Sequence, residues 1–285
     1  NYSGSGSNIN QNAIYNSLKT ITTASALNSA NEELTGQAII SNQVYQQFAQ
    51  DKILTKSLDQ LLDRRNENYN GIYVNFIGEK SSPDGSDDTI GYDGKSYGII
   101  MGGMKKVGET TSVGGFFAYL DSHYDYKDSG DSKQDSKTWS IVGVVEKGLI
   151  DNLKWTTRLG YNQGSSDTHR KITYDNSNRE INGDYDSWSF IGGTELEYKQ
   201  KINNKISLKP TVGILLDYIS QEGYTEKEAA GMNLNVDSTD ELSAKVGVGI
   251  KADIVAYKNE KHEFMVVSRI DYMYELGNAY GDKTV

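Results

Sequence analysis

The chain has 285 residues, 20 tyrosines, 29 glycines, only 2 prolines, no cysteine and a formal charge of -10. The missing cysteines exclude disulfide frameworks and thiolate metal sites, and the negative charge argues against nucleic acid, whose phosphates it would repel. A mean hydropathy of -0.62 with so much Tyr and so little Pro suits extended β-structure, since Tyr fits a half-wet pleated surface and Pro lacks a ladder donor. No run approaches the ~18 apolar residues of a membrane helix. A membrane β-strand needs only ~10 residues, apolar outside and polar inside, and leaves a weak hydropathy signal. The start, Asn1 to Gly6, has no signal-peptide pattern.

In chain order, 8–31 is rich in Asn, Ser, Ala and Thr and weakly periodic, and a break falls at Thr35-Gly36. Residues 37–65 contain no Gly or Pro, and Val44, Phe48, Ile53, Leu54, Leu58, Leu61 and Leu62 recur at helical spacing. Gln43, Gln46, Gln47, Gln50, Lys52 and Lys56 fill the polar face, and Arg64-Arg65 end the segment where cations suit the helix dipole. By itself this segment favours a surface or stalk helix over a helix inside a polar pore.

From Tyr69 the period becomes two, and nine strands are expected: 71–78, 95–105, 111–121, 138–147, 153–163, 185–199, 205–219, 242–256 and 262–276. The last four alternate most clearly. Leu208, Pro210, Val212, Ile214, Leu216 and Tyr218 oppose Ser207, Lys209, Thr211, Gly213 and Asp217; Leu242 through Ile254 oppose Ser243, Lys245, Lys251 and Asp253. In 138–147 both faces are largely apolar and the pattern assigns neither. The charged residues expected on the inner face are Glu195, Glu197, Lys209, Asp217, Lys245, Lys251, Arg269, Asp271 and Glu275. Arg64 and Arg65 are expected to sit among the acids of that set.

Strands of this length exceed the ~5–6 residues usual in globular sheets. Trp155, Trp188, Tyr198, Tyr218, Tyr257, Phe264 and Tyr274 fall near strand ends, as interfacial girdles require. Connections alternate between long (79–94, 122–137, 164–184, 220–241) and short (106–110, 148–152, 200–204, 257–261). The long ones collect Asp and Glu, and the short ones and their edges collect Lys. This is the layout of an up-and-down antiparallel transmembrane β-barrel, an all-β fold, with long loops outside and tight turns in the periplasm.

Chemical motifs fail on inspection. Gly103 to Thr110 has P-loop spacing, but Glu109 replaces the lysine and a strand follows. Gly247-Val248-Gly249-Ile250-Lys251-Ala252 resembles a dinucleotide fingerprint but lies inside a strand. His123, His169 and His262 lack metal-ligand spacing, and Asp84, Asp87 and Asp88 lack the EF-hand register. No catalytic residue, metal ligand or cofactor is therefore assigned.

Lys209-Pro210-Thr211-Val212-Gly213-Ile214-Leu215-Leu216-Asp217-Tyr218, followed by Tyr224-Thr225-Glu226, resembles the autotransporter β-domain: a strand entered at Pro and closing on Tyr, then a loop with Tyr-x-Glu. Tyr97 to Gly102, Val113 to Tyr119, and the Ala26 to Gly36 stretch are similar to other parts of that family. The resemblance implies a barrel of about 12 strands with a helix through its lumen. It implies no reaction; the function would be outer-membrane anchoring and translocation of a passenger domain displayed at the cell surface. Implied partners are that passenger, outer-membrane lipid and the barrel assembly machinery; a host-surface target through the passenger stays open. The implied division is 1–36 as passenger end or linker, 37–68 as plug helix and 69–285 as barrel. Two departures stand out. The chain ends at Val285 after nine strands, so about three strands and a terminal aromatic are expected beyond it. The Asn-Asn pair at which some members cut themselves is absent from the helix; Asn203-Asn204 lies in a turn. Two other classes remain: a stand-alone channel or adhesin barrel binding through acidic loops, and a soluble β-rich binding module on a helical stalk.

Overall fold

A computed structural model describes residues 15–64, 70–86, 89–173, 179–228, 233–258 and 263–277. Arg65, His262 and the loop acids Asp87, Asp88 and Asp175 lie outside them. After a helical stretch at 15–19 come α1 (Ala24–Thr35), α2 (Gln37–Ile40) and α3 (Gln43–Arg64). Thr23 Oγ1 accepts the Ala26 N–H at 3.2 Å and starts α1. Gly36, at φ 60°, ends it in the left-handed conformation that glycine adopts without strain. The expected single helix over 37–65 is instead two. Asn42 sits between α2 and α3, where its Nδ2 donates to Ala38 O at 2.8 Å and to Ile90 O at 2.9 Å. An asparagine side chain bonded to backbone competes with helix continuation.

All nine expected strands form: β1 (Gly71–Ser81), β2 (Tyr92–Lys106), β3 (Thr111–Tyr126), β4 (Lys133–Ile150), β5 (Leu153–Ile172), β6 (Arg179–Tyr198), β7 (Ile206–Gln221), β8 (Thr239–Lys258) and β9 (Glu263–Glu275). Each pairs antiparallel with its sequence neighbour, in spatial order β1 to β9. Two-residue pieces add to this: Gln200–Lys201 pairs with β7, and Tyr224–Thr225 pairs with Asn235–Val236. Among the described residues β1 and β9 do not pair with each other.

The long-connection ends differ from expectation. β5 runs to Ile172 rather than 163, and β6 starts at Arg179 rather than 185. Asp167 lies opposite Asp184, and His169 opposite Asn182. Asp93, Asp125, Asp135 and Asp240, expected in loops, are ladder residues. These tips are polar outward yet keep a small polar residue inward, such as buried Ser166 and Thr168. Backbone pairing continues there without any apolar face to announce it.

The two faces of the sheet differ as alternation requires. On β7, Lys209, Thr211 and Asp217 are buried, whereas Val212, Ile214 and Leu216 are exposed. The ambiguous β4 resolves: Val144 is buried on the inner face, and Trp139, Ile141 and Val145 are exposed on the outer one. The outer face also exposes Phe76, Leu159 and Ile270, the last at 73 %. So much contiguous apolar surface is foreign to a monomer in water. An aromatic row crosses it from Trp139 to Tyr161 (5.7 Å), Phe190 (5.2 Å), Trp188 (5.4 Å) and Tyr218 (5.5 Å). Beyond Tyr161 the outward positions of β5 turn polar: Gln163, Ser165, Asp167, His169 and Lys171. The row therefore marks where apolar surface ends, as at a lipid–water boundary.

Candidate functional site: the cradled helix

α3 lies along the inner face of the sheet, and the sheet curls around it. Its leucine stripe, Leu54, Leu58, Leu61 and Leu62, packs into one cluster with Ile77 of β1, Ile100 and Met104 of β2, Phe116, Ala118 and Leu120 of β3, and Val144 of β4. Each fully buried leucine contributes roughly 1.5–3 kcal/mol of transfer free energy. The inner wall of β1 to β4 is thus apolar where the helix rests on it.

Toward the N-terminal half of α3 the wall is polar, on β3 and β4 as well as on β6 and β7, and so is the helix face that meets it. Gln46 Nε2 donates to Tyr126 OH at 2.6 Å, and Gln43 Nε2 to Tyr224 OH at 2.8 Å. Gln221 Nε2 donates to Gln43 Oε1 at 2.9 Å, Thr138 Oγ1 to Gln50 Oε1 at 2.6 Å, and Ser187 Oγ to Gln47 Oε1 at 3.0 Å. The glutamines of the sequence pattern are therefore buried partners of the wall, not a solvated face. Asp51, 1 % exposed, accepts from Asn162 Nδ2 at 2.7 Å.

Toward the C-terminal end of α3 the contacts become ionic. Asp59 pairs with Arg158 of β5. Lys251 of β8, 4 % exposed, reaches Glu195 at 2.7 Å, Glu197 at 2.9 Å and Asp63 at 3.0 Å. Arg269 of β9 reaches Glu195 at 2.6 Å, Asp271 at 2.5 Å and Asp63 at 3.6 Å, and Lys154 reaches Glu197 at 3.3 Å. Burial makes these charges costly alone and strongly attractive together.

The structure thus gathers Glu195, Glu197, Lys251, Arg269 and Asp271 into one cluster. Three others pair apart from it: Lys209 with Asp253 at 2.5 Å, and Lys245 with Glu275 at 3.7 Å. Asp217 is buried, with no hydrogen-bond partner for Oδ1 among the described residues. Arg64 is exposed, and it lines a cavity of about 840 Å³ between α3 and β7 to β9. The acids expected around it are held by Lys251, Arg269, Lys154 and Lys245 instead. The sign of the helix contribution is the reverse of expectation: α3 supplies acids, Asp59 and Asp63, to bases on the wall. Sequence reasoning weighs the glutamines and lysines of 37–65 and passes over Asp51, Asp59 and Asp63. Their spacing of eight and four residues, which puts them on one helix stripe, was the available signal.

A family model for the autotransporter β-domain matches residues 72–285. The chain belongs to the autotransporter β-domain family. The translocator domain of the autotransporter NalP from Neisseria meningitidis superposes with a TM-score of 0.70 at 12 % identity, covering 85 % of this chain and 81 % of that one. The β-domain of the Bordetella autotransporter BrkA gives 0.56 at 13 % identity, over 72 % of this chain and 80 % of that one. The putative surface-exposed virulence protein BigA of Salmonella typhimurium is 23 % identical over 252 residues. That match covers 85 % of this chain but only 12 % of BigA, so the chain spans a small part of the curated relative. As an autotransporter β-domain, the chain is an outer-membrane anchor and translocator for a passenger domain exposed at the cell surface. The apolar outer face, the aromatic row and the polar strand tips are what that location requires.

Proposed function

We propose that α3 is the plug of the barrel lumen and the tether between passenger and barrel. The observation that carries this is the enclosure of α3, with leucines on β1 to β4 and carboxylates on β5, β8 and β9. Its 22 residues span about 33 Å at ~1.5 Å each, which matches a hydrocarbon core of ~30 Å. Its C-terminal end lies level with the short turns, so the chain enters β1 from the periplasmic side. Its N-terminal end lies level with Tyr224 and Gln221 and leads outward through α1. On this proposal 1–36 is the end of the passenger or its linker, 37–68 the plug and 69–285 the barrel. The inward charged set is then a luminal lining that holds the plug. The domain works by binding and positioning rather than by catalysing a reaction. Its further partners are lipid and the barrel assembly machinery, because unpaired strand edges cannot stand in hydrocarbon and must be paired as the sheet is inserted. Deleting 43–64 from the full-length protein and measuring planar-bilayer conductance tests the plug. Conductance should rise as water replaces the helix; an unchanged value would sink the luminal placement.

A further inference from the structure

We infer that Arg170 is a positioning residue that locks α1 against the outer rim of the barrel. This rests on the proposed placement of α1 at the outer mouth. Arg170 lies near the outer tip of β5 yet is only 1 % exposed. Its guanidinium binds Glu226, in the connection after β7, with both arms: Nε to Oε1 at 2.7 Å and Nη2 to Oε2 at 2.7 Å. Its remaining arm, Nη1, donates to the Glu33 carbonyl of α1. A planar fork with fixed donors is suited to holding two elements at once, in a way a lysine is not.

The neighbours close the same joint. The Glu33 carboxylate accepts from Thr173 N at 2.7 Å and Thr173 Oγ1 at 2.8 Å, just past the end of β5. Leu34 packs on Ile172 and Ile181. Glu226 also accepts from Leu234 N at 2.9 Å, which folds the β7–β8 connection back over the rim. A side chain at Gly36 would meet Leu234 Cδ1 at 3.2 Å and Arg170 Nε at 3.3 Å, on a backbone at φ 60°. So α1, the tip of β5 and the β7–β8 connection meet on one arginine. Load arriving along the chain from outside is then taken at the rim, before it reaches α3.

Hydrogen exchange on the full-length protein in outer-membrane vesicles tests this. In the unsubstituted protein the α1 amides should be protected to the same degree as the tips of β5 and β6. Arg170→Met and Glu226→Gln should each speed α1 exchange by about 100-fold or more, because one buried charge loses its partner. Arg170→Lys should fall between, and heat-modifiability of the barrel should stay intact in all three. Unchanged α1 exchange in either folded variant, or free exchange of α1 before substitution, would overturn the lock. Failure of the unsubstituted protein to stay in the outer-membrane fraction would count against the anchor itself, a separate outcome.

Discussion

Replacing Lys251 with methionine probes the ionic half of the cradle. The lysine is 4 % exposed and holds three carboxylates, Glu195, Glu197 and Asp63, within 3.0 Å. Methionine fills a similar volume, so packing is nearly conserved and the change is one of charge. Arg269 and Lys154 still neutralise part of the cluster, at 2.6 Å from Glu195 and 3.3 Å from Glu197. Asp63 keeps only the longer contact to Arg269 at 3.6 Å. Breaking a buried pair by removing one partner costs about 3–5 kcal/mol, and the remaining cations put this case near the lower end. The assay is the midpoint of urea unfolding in lipid, followed by heat-modifiability on a gel, with bilayer conductance in parallel. Lys251→Met should lower stability by about 3 kcal/mol and raise conductance as the end of α3 loosens. Adding Asp63→Asn should recover a substantial share, because the carboxylate left with only the longer contact to Arg269 is removed. A loss below about 1 kcal/mol, the range of exposed surface pairs, would show that water already screens the cluster and that it does not hold the helix.

Leu216 and Asp217 test the faces of β7: Leu216→Arg should cost about 2–4 kcal/mol near the bilayer midplane. Asp217→Asn should be mild by the same unfolding measurement, and the opposite ranking would mean an inverted register. Leu58, 2 % exposed in the apolar half of the cradle, should cost about 2–5 kcal/mol on truncation to alanine; a loss well below that would mean the helix does not rest on β1 to β4. Trp188→Ala should reduce the tryptophan emission quenched by lipids brominated nearest the headgroup, since Trp188 stands in the aromatic row with Phe190 and Tyr218. No change in that quenching would remove that row from the lipid boundary.

The faces of the strands were legible in the sequence because side chains in a strand alternate with period two. That period alone places Lys209 and Asp217 inside and Leu216 outside, and the same holds for Lys251 against Ile250. The short connections (106–110, 148–152, 200–204, 257–261) also carry part of the order of the meander, since they are too short to cross a sheet and force the strands they join to pair. The period could not carry the strand tips. In 164–171 and 182–184 both faces are polar, so alternation loses its contrast and the ladder is held by backbone bonds that every residue can make. Nor could it assign β4, whose two apolar faces separate only because one meets lipid-facing aromatics and the other meets Leu54 and Leu58. The glutamines of α3 read as a solvated face, since nothing local says that a wall of Tyr126, Thr138, Ser187 and Gln221 stands against them. The ionic cradle depends on curvature: Asp63 meets Lys251, and Arg170 meets Glu226, across long stretches of chain. Parity fixes which way each of these side chains points, but only the closing of the sheet around the helix decides which charges come within reach of one another.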